Sequence, residues 1–116
     1  KYKDSVAFFV VYIEEAHASD AWQTAPNIRD KVIFANPHTS EARSEVAQSC
    51  VSHLNIQLPA LLDDLGNSAE AAYTGWPDRL YVIDSRGHIA YKSQAGPYGF
   101  KPQEMAAVLA RIASHP

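Results

Sequence analysis

Eight consecutive apolar residues, Val6 to Ile13, run straight into Glu14-Glu15-Ala16-His17-Ala18-Ser19-Asp20. The run is rich in β-branched and aromatic residues and has no polar alternation. It therefore predicts a strand covered on both faces, as in the centre of a parallel sheet. In open α/β sheets, ligands bind just beyond the carboxyl ends of the strands. The two carboxylates and the imidazole fall at such an end. His17, with Glu15 two residues before it, is a candidate proton-handling pair. Strand alternation turns Glu14 away from the side of Glu15.

The chain has 116 residues, the size of one domain, and can bury a core without staples. At 47% hydrophobic and 20% charged it reads as globular rather than disordered. With a net charge of −3 and no basic stripe, nucleic acid is not an expected partner. No apolar run approaches the roughly 20 residues that span a membrane. The single cysteine, Cys50, permits neither an internal disulfide nor a CxxC redox motif. No His, Cys and carboxylate set has metal-ligand spacing, so no metal site is expected. The chain reads as soluble as given and cytoplasmic if its source is bacterial, but the residues fix no compartment.

Local signals predict strand, helix, strand, helix, hairpin and helix. Ser19-Asp20 can cap a short turn, and Lys31 to Ala35 reads as a short extended piece. Thr39 to Leu54 is the clearest helix, with Glu41 in its first turn. Its predicted apolar stripe is Ala42, Val46, Ala47, Cys50, Val51 and Leu54. Cys50 on that stripe reads as a small buried hydrophobe rather than a nucleophile. Ala60 to Leu62 is a second extended run. Asn67 and Glu70 resemble a capping box for a helix reaching about Tyr73. Arg79 to Asp84 and His88 to Lys92 flank Ser85-Arg86-Gly87 as a β-hairpin. Pro102 opens the last helix, whose buried stripe is Met105, Val108, Leu109 and Ile112.

A helix-covered strand followed by an antiparallel pair and a terminal helix matches the second half of a thioredoxin-like α/β fold. The first half of that fold is a strand and a helix carrying the nucleophile at the helix N-terminus, where a thiol pKa is lowered. The expectation is a single domain over residues 1–116, N-terminally incomplete, with that unit missing. Removing an interior strand leaves unpaired backbone groups on its neighbours. An upstream segment fills the gap, or a second copy does so by dimerisation or swapping. Pro77 is the candidate for the cis-proline that precedes the hairpin strand in such folds.

Three stretches, VVYIEEAHASDAW, PDRLYVID and AYKSQAGPYGFKPQEMAAVLA, resemble the iodothyronine deiodinase family and its bacterial deiodinase-like relatives. The resemblance follows nearly the whole chain in order and is weakest over residues 23–36. It implies reductive removal of iodine from an iodinated phenol, with an external thiol as electron source and no bound cofactor. It places the nucleophile, a selenocysteine or cysteine, upstream of Val6, so that these residues alone are expected to be inactive. It carries the family's catalytic His onto His17 and the preceding Glu onto Glu15. A second family His falls near His38, with a gap, and a family acidic residue falls on Asp78, followed by Arg79. His38, Trp22 and Arg79 are the substrate-binding candidates, and His17, Glu15 and Asp78 the catalytic ones. An Arg that one branch of the family uses to hold its hormone is Ala95 here, which weakens thyroid hormone as the substrate.

Each candidate has a plainer reading. His17 could cap a loop, Glu15 could be solvated, and Trp22 could simply pack. Two other functions suit the same scaffold: a peroxiredoxin- or thioredoxin-like thiol oxidoreductase, and a binding module that has lost its nucleophile.

Overall fold

The computed structural model describes residues 2–14 and 37–114. Within them the order is β1 (Val10–Tyr12), α1 (Ser40–His53), β2 (Ala60–Leu62), α2 (Ser68–Tyr73), β3 (Tyr81–Ile83), β4 (Ile89–Lys92) and α3 (Pro102–Ala113). The mixed α/β class is as expected. The chain divides into two compact units, Phe8–Thr74 and a second made of Lys1–Ala7 with Gly75–Pro116.

In the Phe8–Thr74 unit, β1 and β2 pair in parallel, with Val10 opposite Ala60, Val11 opposite Leu61 and Tyr12 opposite Leu62. The ladder continues at both ends, through Val10 N–H to the Pro59 carbonyl and Asp63 N–H to the Tyr12 carbonyl. The long apolar run thus contributes a strand of only three residues. Nor is it covered on both faces: Phe9 and Val11 remain 57% and 46% exposed. Among the described residues this sheet has two strands, too few to cover both faces.

Helix α1 begins where the sequence indicates. Thr39 is extended (φ −133°, ψ 158°), and its hydroxyl accepts the Ala42 amide at 3.0 Å. Its predicted stripe needs correction. Ala42, Val46, Ala47, Cys50 and Val51 are half-buried, and Leu54 is exposed; the buried residue of this helix is Arg43. Cys50 is therefore not the enclosed hydrophobe that its spacing suggested.

The second unit is the hairpin with α3 against it. Strands β3 and β4 are antiparallel, with a register shift between Val82 and Ile83. Asp84 builds the turn: its carboxylate accepts the Arg86 and His88 amides, each at 2.9 Å, and Gly87 supplies a φ of +83°. Val82 and Leu109 are the buried apolar residues, so the core lies between β3 and α3. Met105, Val108 and Ile112 flank Leu109 as half-buried residues, and Pro102 sits in the first turn. Tyr91 donates its hydroxyl to Glu104 at 3.1 Å, which ties β4 to the start of α3.

Candidate functional site

In the Phe8–Thr74 unit, the carboxyl ends of β1 and β2 meet the first turn of α1. β2 ends in Asp63-Asp64, and both aspartates turn back over the start of α2. The Asp63 carboxylate accepts the amides of Asp64 (2.9 Å), Ala69 (3.0 Å) and Glu70 (2.9 Å). The Asp64 carboxylate accepts the Ser68 amide at 2.9 Å and its hydroxyl at 2.7 Å. Those Ser68 bonds hold the Asp64 carboxyl below its ordinary range; burial opposes them and Arg43 assists them.

Asn67 does not cap α2 as its sequence context suggested. It sits in the left-handed region (φ 57°, ψ 41°), and its side chain makes no capping bond. Capping requires extended backbone at that position, so the two aspartates supply the acceptors instead. Asn tolerates the left-handed conformation better than most residues.

Arg43 reaches into the same region. It is only 4% exposed, and its Nη1 donates to the carbonyl of Asp63 at 3.4 Å and to that of Asp64. One buried guanidinium thus ties α1 to the end of β2. Two buried atoms nearby, Nε of Arg43 and Oδ1 of Asn67, have no hydrogen-bond partner among the described residues. Sequence reasoning missed Arg43. The available signal was its place in the first turn of α1, one residue after Ala42 and three before Val46, on the edge of the apolar stripe.

Glu14, Pro37, His38, Arg43, Leu65 and Asn67 line a cleft of about 340 Å³ at this sheet end. It offers a carboxylate, an imidazole and the flank of a guanidinium, which suits a small polar or charged group. His38 is exposed at its rim. Of the sequence-derived candidates, His38 is therefore the one in this cleft. Glu15, His17 and Trp22 lie outside the described residues.

Asp78 and Arg79 belong to the other unit, at the entrance to β3. The Trp76–Pro77 and Gly96–Pro97 peptide bonds are both cis. Ser93, 2% exposed, fixes this entrance: its hydroxyl accepts the Leu80 amide at 3.0 Å, its own amide donates to the Leu80 carbonyl at 3.0 Å, and its carbonyl accepts Arg79 Nη1 at 3.3 Å. The Asp78 carbonyl accepts the Gly96 amide at 3.1 Å. Asp78 itself is exposed and Arg79 half-buried.

Among the described residues no group of three or more His, Cys, Asp or Glu can hold a metal ion. Among them, too, no helix is long and apolar enough to cross a membrane.

Comparison with known proteins places these features in a family. The model of the family described as iodothyronine deiodinase matches residues 1–113. Type I iodothyronine deiodinase of Xenopus laevis is 35% identical over 102 residues, covering 88% of this chain and 38% of that protein. Thyroxine 5-deiodinase of Homo sapiens is 36% identical over 115 residues, covering 96% of this chain and 35% of that protein. Thyroxine 5-deiodinase of Sus scrofa is 35% identical over 111 residues, with 96% and 35% coverage. The chain spans little more than a third of the length of these relatives. With a family match over nearly its full length and relatives above 30% identity, the chain belongs to the iodothyronine deiodinase family.

Proposed function

We propose that these residues form the substrate-positioning and protonating part of a reductive deiodinase acting on iodinated phenols of the iodothyronine class. The observation that carries this reading is the family match over residues 1–113, which includes the EEAH stretch. Replacing aryl iodine by hydrogen takes two electrons and a proton and releases iodide. Two thiols supply the electrons by becoming a disulfide, so the balance is aryl iodide plus two thiols giving arene, disulfide, iodide and a proton. The carbon that loses iodine must be protonated. An imidazole oriented by a carboxylate does this near neutral pH, and His17 with Glu15 fills that role. The resemblance adds Asp78 as a further catalytic candidate and His38, Trp22 and Arg79 as substrate-binding candidates.

The nucleophile is a cysteine or selenocysteine in sequence upstream of these residues, on a strand and helix that complete a thioredoxin-like sheet. Cys50 supports this reading by its place. It lies in the third turn of α1 and not at the helix N-terminus, where a thiol pKa is lowered. The exposed apolar residues Phe9 and Val11 beside β1 are consistent with a further packed layer. An external dithiol regenerates the nucleophile.

The test is iodide release by the full-length protein from an iodothyronine and from a simple iodophenol, with dithiothreitol as reductant. Release that depends on His17 supports the reading. Turnover of hydroperoxides or disulfides with no iodide release would instead assign a thiol oxidoreductase on this scaffold. Tight binding of iodophenols without any turnover would assign a binding module.

A further inference from the structure

Arg43 is a buried cation without a counter-charge among the described residues. It is 4% exposed, and its hydrogen bonds to them run from Nη1, to the carbonyls of Asp63 and Asp64. Carbonyl oxygens carry no net charge. Among the described residues ion pairs join His88 to Asp84 and Lys101 to Glu104, and neither involves Arg43. The Asp64 carboxylate is near enough to feel Arg43 but is taken up by the Ser68 amide and hydroxyl. A charge taken out of water is strongly unfavourable until it is paired, so a matching anion in the cleft would relieve Arg43.

The part of the guanidinium left over selects the anion. Nη1 is engaged by main chain, while Nε is buried with no hydrogen-bond partner. A guanidinium edge offers parallel N–H donors that match the two oxygens of a carboxylate. Asn67 has the opposite need, since its Oδ1 is a buried acceptor with no partner among the described residues. Arg43, Asn67 and the exposed Glu14 line the same cleft of about 340 Å³, inside the Phe8–Thr74 unit. A bare anion would satisfy Arg43 but leave the Asn67 oxygen unmet and face the Glu14 carboxylate. An α-amino-acid head group answers all three, because it carries a carboxylate and an ammonium on one carbon.

We propose that this cleft binds the α-amino-acid head group of the substrate, the Arg43 edge taking the carboxylate and Asn67 Oδ1 with Glu14 taking the ammonium. This rests on the reading of the substrate as an iodinated phenol of the iodothyronine class. Arg43 is already fixed by two carbonyls, so its edge is oriented before the ligand arrives.

The experiment measures dissociation constants for the full-length protein by quenching of its tryptophan fluorescence, with iodide release recorded alongside. The ligands are thyroxine, the amine left when its carboxylate is removed, and the acid left when its amino group is removed. The amine should bind about ten- to a hundred-fold more weakly than thyroxine, because it leaves the buried guanidinium unpaired. The acid should bind about two- to five-fold more weakly, because Glu14 is exposed and its pairing is screened. Asn67→Gly keeps the left-handed backbone and removes the acceptor; with Glu14→Gln it should bring thyroxine down to the acid and leave the acid unchanged. Arg43→Lys should weaken thyroxine and the acid together and leave the amine where it was. An amine that binds as tightly as thyroxine would overturn the proposal, and so would failure of all three ligands to bind. Iodide release without any discrimination among the ligands overturns the head-group site and leaves the proposed function standing. Head-group-dependent binding without iodide release does the reverse.

Discussion

Arg43 and Asp63 meet through main chain rather than through charge: Nη1 of Arg43 donates to the Asp63 carbonyl at 3.4 Å, while the Asp63 carboxylate accepts three backbone amides. The aspartate thus serves α1 with its carbonyl and α2 with its side chain. Both residues are buried. These contacts join α1, β2 and α2 at the sheet end that carries the cleft.

Asp63→Ala would leave the amides of Asp64, Ala69 and Glu70 without their acceptor. A loss of about 2–4 kcal/mol is expected, since hydrogen bonds to charged groups are the stronger ones. Urea unfolding of Asp63→Ala and Asp63→Asn should rank the asparagine variant between alanine and wild type. Equal stability of Asp63→Ala and wild type would show that water replaces the carboxylate.

Arg43→Met keeps most of the buried volume and removes the donor to the two carbonyls. About 1–3 kcal/mol should be lost. Arg43→Lys should restore only part of it, because an ammonium lacks the planar fork. Full rescue by lysine, read from the urea midpoint, would contradict the geometry.

Acid should weaken the fold through Asp64 and Asp84. Both carboxyls are held below the ordinary carboxylate range, Asp64 mainly by Ser68 and Asp84 mainly by the His88 amide. A folded-state pKa below the unfolded one gives stability that is present above the unfolded value and lost as pH falls through the folded one. Urea midpoints should therefore drop from about pH 4 downward. Asp64→Asn with Asp84→Asn should flatten that drop, and an unchanged slope would count against these bonds.

The 116 residues expressed alone with Cys50→Ser should release no iodide from an iodophenol in dithiothreitol. The proposed nucleophile is absent from them, and Cys50 lies toward the C-terminal end of α1. Measurable release would place the chemistry within these residues and defeat the upstream assignment.

Features set by a few neighbouring residues were legible in the sequence. Thr39 caps α1 because a hydroxyl four residues before Arg43 reaches a first-turn amide, and Pro102 opens α3 because its missing N–H costs nothing there. The Ser85-Arg86-Gly87 turn is equally local, resting on Asp84 and the positive φ of Gly87. What depended on distant chain was not legible. The capping role of Asp63 and Asp64 requires β2 to end over α2, and the burial of Arg43 requires carbonyls twenty residues away. Apolar periodicity cannot foresee either, and for Asn67 the local pattern pointed the wrong way.

His17 is the residue on which the account turns, and the most direct measurement is iodide release by the full-length protein carrying His17→Ala, compared with wild type under the same dithiothreitol concentration. Loss of a general acid typically costs about a hundred- to ten-thousand-fold. The account predicts a wild type that releases iodide and a His17→Ala variant slower by that factor, with binding of the iodinated phenol largely retained. A His17→Ala variant that releases iodide at the wild-type rate would contradict it.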